Sequence, residues 1–118
     1  MAGIVGTWYW LSTTVTKTGG TDYTVDGAWT DLDLTSATSA NAKFVILNLR
    51  HHTTASAGDV LAVRKNGETP NTTPGVYCQV AGIPYYGFAI VACDSGQVIE
   101  YYATDASDTR IDILGYIE

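Results

Sequence analysis

Hydrophobic and polar positions alternate in short runs along this chain, and each run ends in turn chemistry. Nine runs read as strands: Thr7–Thr16, Asp22–Val25, Ala28–Leu34, Lys43–His51, Asp59–Lys65, Gly75–Val80, Gly87–Cys93, Gly96–Ala103 and a closing run, Thr109–Glu118. Between them lie TGGTD, VDG, TSATSAN, SAGD, KNGETPNTTPG, AGIPYYG, CDSG and TDASD. These segments are rich in residues that supply positive φ, fixed φ or local side-chain caps. Strands spaced at roughly ten residues with short turns predict an all-β sandwich or barrel. No window repeats apolar residues at i, i+3, i+4 and i+7. LTSATSANAK is the best helical candidate, and its Ser and Thr residues favour caps and turns, so at most one short turn is expected there.

Period-two patterning assigns faces. In the closing run Ile111, Ile113, Gly115 and Ile117 are expected on one face, with Arg110, Asp112 and Leu114 on the other. In QVIEYYA, Ile99, Tyr101 and Ala103 oppose Val98, Glu100 and Tyr102. KFVILNLR is apolar on both faces near its middle, as a central strand with a covered outer face would be. CDSGQ predicts a hairpin loop with Gly96 at positive φ, pairing GFAIVAC with QVIEYYA. A strand that runs to the last residue suits a place inside a sheet, with its end open to a neighbouring chain.

The length, 118 residues, fits one domain, residues 1–118, in which residues 1–10 form a contact arm or the first strand. A chain of this size buries enough surface for a core without metal or disulfide staples. Thr, Ser, Gly and Asp fill most polar positions, and Thr suits a pleated, half-exposed surface. The expected fold is all-β: a single-domain antiparallel β-sandwich or jelly roll of eight to nine strands.

Charge narrows the function. A net charge of −6 with six scattered Lys and Arg residues disfavours nucleic acid, because phosphate binding needs clustered cations. It suits solubility at high local concentration. The N-terminal MAGIVGTWYWLSTTV lacks a basic n-region, and no apolar stretch reaches the roughly 20 residues of a membrane helix. The expectation is a protein made in a cytosol, without membrane insertion. Cys78 and Cys93 sit inside strand-like runs and read as small buried thiols rather than a disulfide.

No chemistry-bearing motif emerges. Asp31 and Asp33 leave one strand face together, a pair that could contribute to a Ca²⁺ site, yet they and Asp22, Asp26, Asp105 and Asp108 read better as solvated or turn-capping carboxylates. His51 and His52 are adjacent on a strand end and point to opposite faces. There is no Gly-x-Ser-x-Gly elbow, HExxH or phosphate-cradling glycine loop. The reading is therefore non-enzymatic, with no catalytic residue, cofactor or metal. The aromatics are the positive signal. Trp8, Tyr9 and Trp10 are consecutive, and Trp29, Tyr85, Tyr86, Tyr101 and Tyr102 join them. Bulk favours core fill for Trp8, Trp10 and Trp29 over an exposed platform for a sugar or a protein. Tyr85 and Tyr86 are placed in a Gly/Pro-rich loop.

WTDLDLTS (Trp29–Ser36), AKFVILNLR (Ala42–Arg50), AVRKNGE (Ala62–Glu68) and CDSGQVIEYYATDASDTRIDILGYIE (Cys93–Glu118) resemble, in this order, small β-rich virion proteins of tailed bacteriophages. Met1–Val25 matches no such pattern and is read as an arm or strand that meets the partner. The resemblance implies a sandwich or jelly roll on the particle's outer surface: a capsid decoration or cement protein, a head fibre or a tail component. It carries no catalytic motif. Expected partners are the major capsid protein or other virion proteins, with a homo-oligomer such as a trimer on the particle, and glycans as further ligands. The contact residues expected are Ile4, Trp8, Trp10, Tyr85, Tyr86, Tyr116 and Ile117. The alternative is a carbohydrate- or receptor-binding module of a tail fibre or tip, using Trp8, Trp10, Trp29, Tyr85 or Tyr86 as platforms.

Overall fold

The computed structural model describes residues 6–51, 55–69, 73–105 and 109–118. Among these residues eight strands form: β1 (Trp8–Thr18), β2 (Thr30–Asp33), β3 (Phe44–His51), β4 (Val60–Lys65), β5 (Gly75–Tyr77), β6 (Tyr85–Ala92), β7 (Val98–Ala103) and β8 (Thr109–Ile117). They make two four-stranded sheets, ordered β1-β8-β3-β6 and β2-β7-β4-β5. Every strand pairing is antiparallel, and the pairs β1–β8, β2–β7, β3–β6 and β4–β5 nest inside one another. This is a jelly roll: one long hairpin, centred on the β4–β5 connection, rolled into two facing sheets. The pattern of alternation therefore predicted the class correctly.

Two expected elements differ. Asp22–Val25 is not a strand. Tyr23 makes a single parallel bridge to Gly19, and its ring turns into the core against Tyr101, 4.6 Å between centroids. Its hydroxyl donates to Thr109 Oγ1 at 3.0 Å, and burial pushes its pKa up to about 12. The second difference is CDSGQ. β6 pairs with β3, while β7 pairs with β2 and β4, so this turn crosses between sheets instead of closing a hairpin. Asp94 organises the crossing by accepting hydrogen bonds from the backbone N–H groups of Gly96 and Val98 at 2.9 Å each. The positive φ falls on Gln97, at 57°, not on Gly96. Such a tight Asx turn looks the same in sequence whether it joins paired strands or sheets. LTSATSANAK forms two successive turns, Thr38 N–H donating to the Leu34 carbonyl and Ala42 N–H to the Ser39 carbonyl at 3.1 Å each.

The inner faces meet in one core. Val45, Leu47 and Leu49 of β3 and Ile111 and Ile113 of β8 face Ile99 and Tyr101 of β7 and Leu61 and Val63 of β4. The period-two reading of β7 holds, since Ile99, Tyr101 and Ala103 are buried there. Cys78 and Cys93 are free and buried, and burial raises the Cys93 thiol pKa.

The reading of β8 is corrected by a bulge. Ile46 and Leu47 of β3 sit opposite Gly115 and Ile113, leaving Leu114 as the extra residue. An extra residue reverses the alternation beyond it. Ile111 and Ile113 face the core as expected, but Tyr116 then packs against the core, and Gly115 and Ile117 turn to the outer face. β1 follows the same irregularity, its register with β8 shifting between Trp10 and Val15.

Candidate functional site

The outer face of the first sheet can be read row by row from its register. Trp8, Ile117, Phe44 and Ala92 form the first row, and Trp10, Gly115, Ile46 and Ile90 the second. Beyond the bulge, the third row is Thr16, Asp112, Asn48 and Phe88, and the fourth is Thr18, Arg110, Arg50 and Tyr86. The face thus has an uncharged half and a polar half, with Phe88 and Tyr86 extending the aromatic surface along β6.

Four aromatic rings on this face are open to solvent: Trp8 at 45 %, Trp10 at 63 %, Tyr86 at 61 % and Phe88 at 62 % exposure. Trp8 and Trp10 lie 6.5 Å apart, centroid to centroid. Between them and β6 in register, Ile46 and Ile117 are fully buried although they belong to the outer face. The result is an apolar floor, flanked by rings. The expectation that Trp8 and Trp10 fill the core is corrected. Aliphatic side chains and the Tyr23–Tyr101 pair fill the narrow space between the sheets, and the parity of β1 sends Tyr9 and Leu11 to that side.

Asp112 anchors the polar half. It accepts from Thr16 Oγ1 at 2.7 Å, Asn48 Nδ2 at 3.1 Å and Arg50 Nη2 at 2.9 Å, and Arg50 Nε lies 2.7 Å from its second oxygen. Burial alone would raise the Asp112 pKa. The hydrogen bonds from Thr16, Arg50 and Asn48, with the Arg50 charge, outweigh it and hold the carboxyl below its ordinary value. This network ties β1, β8 and β3 together beside the rings, so the aromatic half rests on a fixed sheet.

The expected contact residues divide. Trp8, Trp10 and Ile117 are neighbours on this face, and Tyr86 shares the face from the opposite edge strand. Tyr116 lies on the opposite side, stacked on Tyr9 with centroids 5.1 Å apart, and Tyr85 packs against the core, its hydroxyl accepting from Val80 N–H at 3.1 Å. Ile4 lies outside the described residues. Tyr85 and Tyr86 belong to a strand rather than a loop, because β6 starts two residues earlier than the turn composition suggests. That offset also hid Phe88. Tyr86, Phe88 and Ile90 form a period-two series that only becomes visible once the strand begins at Tyr85.

Other candidates have structural work. Asp33 accepts from Thr35 N–H at 2.8 Å and Asp26 from Ala28 N–H at 3.1 Å, both as turn caps. His51 is fully buried, with Nε2 3.1 Å from the Val76 carbonyl, while His52 and Asp108 lie outside the described residues. Trp29 is on the outer face of the second sheet, against Tyr102 and Arg64. No protein-family model matches the chain, and no curated protein sequence matches it.

Proposed function

We propose that this protein is a non-catalytic virion surface protein, a capsid decoration protein that docks on capsid subunits through the outer face of its first sheet. One observation carries the reading: four exposed aromatic rings share a sheet face whose first two rows hold no charged side chain. Trp8 and Trp10 stand along one edge of this face and Phe88 and Tyr86 along the other, and exposed aromatic rings so grouped mark an interaction surface. The rings stand on the edge strands β1 and β6, and exposed Trp, Tyr and Phe are the residue types enriched as anchors at protein interfaces. The occupant is a capsid protein surface for two further reasons. The sequence order from Trp29 onward resembles tailed-phage virion proteins, and jelly rolls recur in viral capsid and lectin domains, an analogy at the level of fold. Docking places several copies together on the lattice, as a homo-oligomer.

The test is cosedimentation with particles assembled without this protein. Trp10→Asp and Phe88→Asp should each lower particle occupancy by about 30-fold, the loss of a hot spot worth about 2 kcal/mol. Tyr77→Ala, on the far sheet, should bind as the parent does. Unchanged occupancy of both aspartate variants, shown folded by their thermal melts, sinks the reading.

A further inference from the structure

The second sheet carries a different surface, on the opposite side of the sandwich from the docking face. A groove of about 370 Å³ runs across its outer face, within the range of small-molecule sites. Its floor is Ala62, which β4 pairs with Gly75 on one side and Tyr102 on the other. Neither Ala62 nor Gly75 projects beyond a methyl group, so the floor is low and flat. Trp29 and Tyr102 stand at one wall, centroids 5.6 Å apart and inclined at 49°. Tyr77, 52 % exposed, stands at the other.

Trp29 is held in place. The Arg64 guanidinium sits 4.2 Å from its ring centroid, and Arg64 in turn is paired to Glu100 across the β4–β7 ladder. This clamp neutralises the cation beside the groove and fixes the indole before any ligand arrives. A preordered aromatic loses little entropy on binding. Thr73 and Thr104 line the rim with the hydroxyls of Tyr77 and Tyr102.

We infer that this groove is a binding site for neutral carbohydrate, one or two pyranose rings of a glycan. Aromatic faces carry negative π-density that meets the electropositive C–H face of a sugar ring. The rim hydroxyls of Thr73, Tyr77 and Tyr102 both donate and accept, which matches sugar hydroxyls that do the same, while that of Thr104 is engaged within the protein, accepting from Val60 N–H and donating to Asp59 Oδ1 at 2.9 Å each. A proline-rich peptide, the other ligand that aromatic grooves take, offers carbonyl acceptors without matching donors. An anionic glycan is disfavoured because Arg64 is already paired and Asp31 and Asp33 lie on the same outer face of the sheet. The site does not depend on the docking reading. With the first sheet against a particle, it would face outward.

The experiment uses the intact chain labelled with ¹⁵N. Its three tryptophans give three indole N–H signals, of which Trp8 and Trp10 serve as internal references. A panel of immobilised neutral and sialylated glycans selects oligosaccharides, and methyl glycosides of glucose, galactose, mannose and N-acetylglucosamine are titrated alongside. The expected result is saturable movement of the Trp29 signal with a neutral sugar, while Trp8 and Trp10 stay still. Tyr77→Ala, at an exposed position, should weaken that binding about tenfold. The inference is overturned if no sugar moves the Trp29 signal at millimolar concentration. Preference for sialylated glycans, or movement caused by a proline-rich peptide instead, overturns it equally. Particle occupancy of the same Tyr77→Ala protein separates this outcome from the fate of the docking reading.

Discussion

Asp112 shows how a single residue can hold a sheet face in place. Its carboxylate is nearly buried, and three neighbours, one on the edge strand β1 and two on β3, donate to it. Its folded pKa lies below the unfolded value, so the linked stability is present above about pH 4 and is lost as pH falls below it. Asp112→Asn should cost about 1–3 kcal/mol at pH 7, since it weakens the Arg50 pair inside a network. It should also flatten the fall of melting temperature between about pH 4 and pH 2. Asp33 and Asp94, which are lowered mainly by backbone N–H donors and remain in the variant, leave a residual slope. A thermal melt series of both proteins decides this, and identical acid profiles would count against the assigned role. At this scale the sequence was only partly legible. The turn-capping aspartates could be read from their neighbours, because a cap is local chemistry. The tryptophans could not. Trp8 and Trp10 alternate with Tyr9 and Leu11, so both faces of β1 are apolar and the pattern cannot say which one turns inward.

Among elements, β8 decides the most. It lies between β1 and β3, and its bulge at Leu114 converts a simple alternation into two faces of opposite sense. With Leu114 paired in a regular ladder instead, Ile117 would point into the core and Tyr116 would join the outer face. Gly115 makes the irregularity possible, because a Cβ there would fall on the Tyr9 carbonyl oxygen of the neighbouring strand. The obstacle is backbone, not a flexible side chain, so it cannot simply move aside. Gly115→Ala should therefore destabilise by about 1–3 kcal/mol, read as a shift in the urea midpoint at unchanged m-value. A variant as stable as the parent would mean that β1 does not approach β8 as described. Strand positions were largely readable in the sequence, since turn residues and period two are local signals. The partner of each strand was not. The CDSGQ segment has hairpin composition, yet the nested pairings of the roll send its two strands to different sheets.

At the scale of the molecule, the two sheets turn different chemistries to opposite sides. The first presents rings over an apolar floor and suits a broad, flat protein partner. The second presents a groove between aromatic walls, with the neighbouring Arg64 already paired. A thin sandwich, 22 Å along its shortest axis, holds these surfaces back to back, so one can be occupied while the other stays open. The central claim is that the particle covers the first sheet and leaves the second exposed. Hydroxyl-radical footprinting of the protein, free and bound to particles, tests it most directly. The account predicts that Trp8, Trp10, Tyr86 and Phe88 become protected on the particle, while Trp29 and Tyr77 are oxidised as in the free protein. Protection of Trp29 and Tyr77 with Trp10 and Phe88 still open would contradict it.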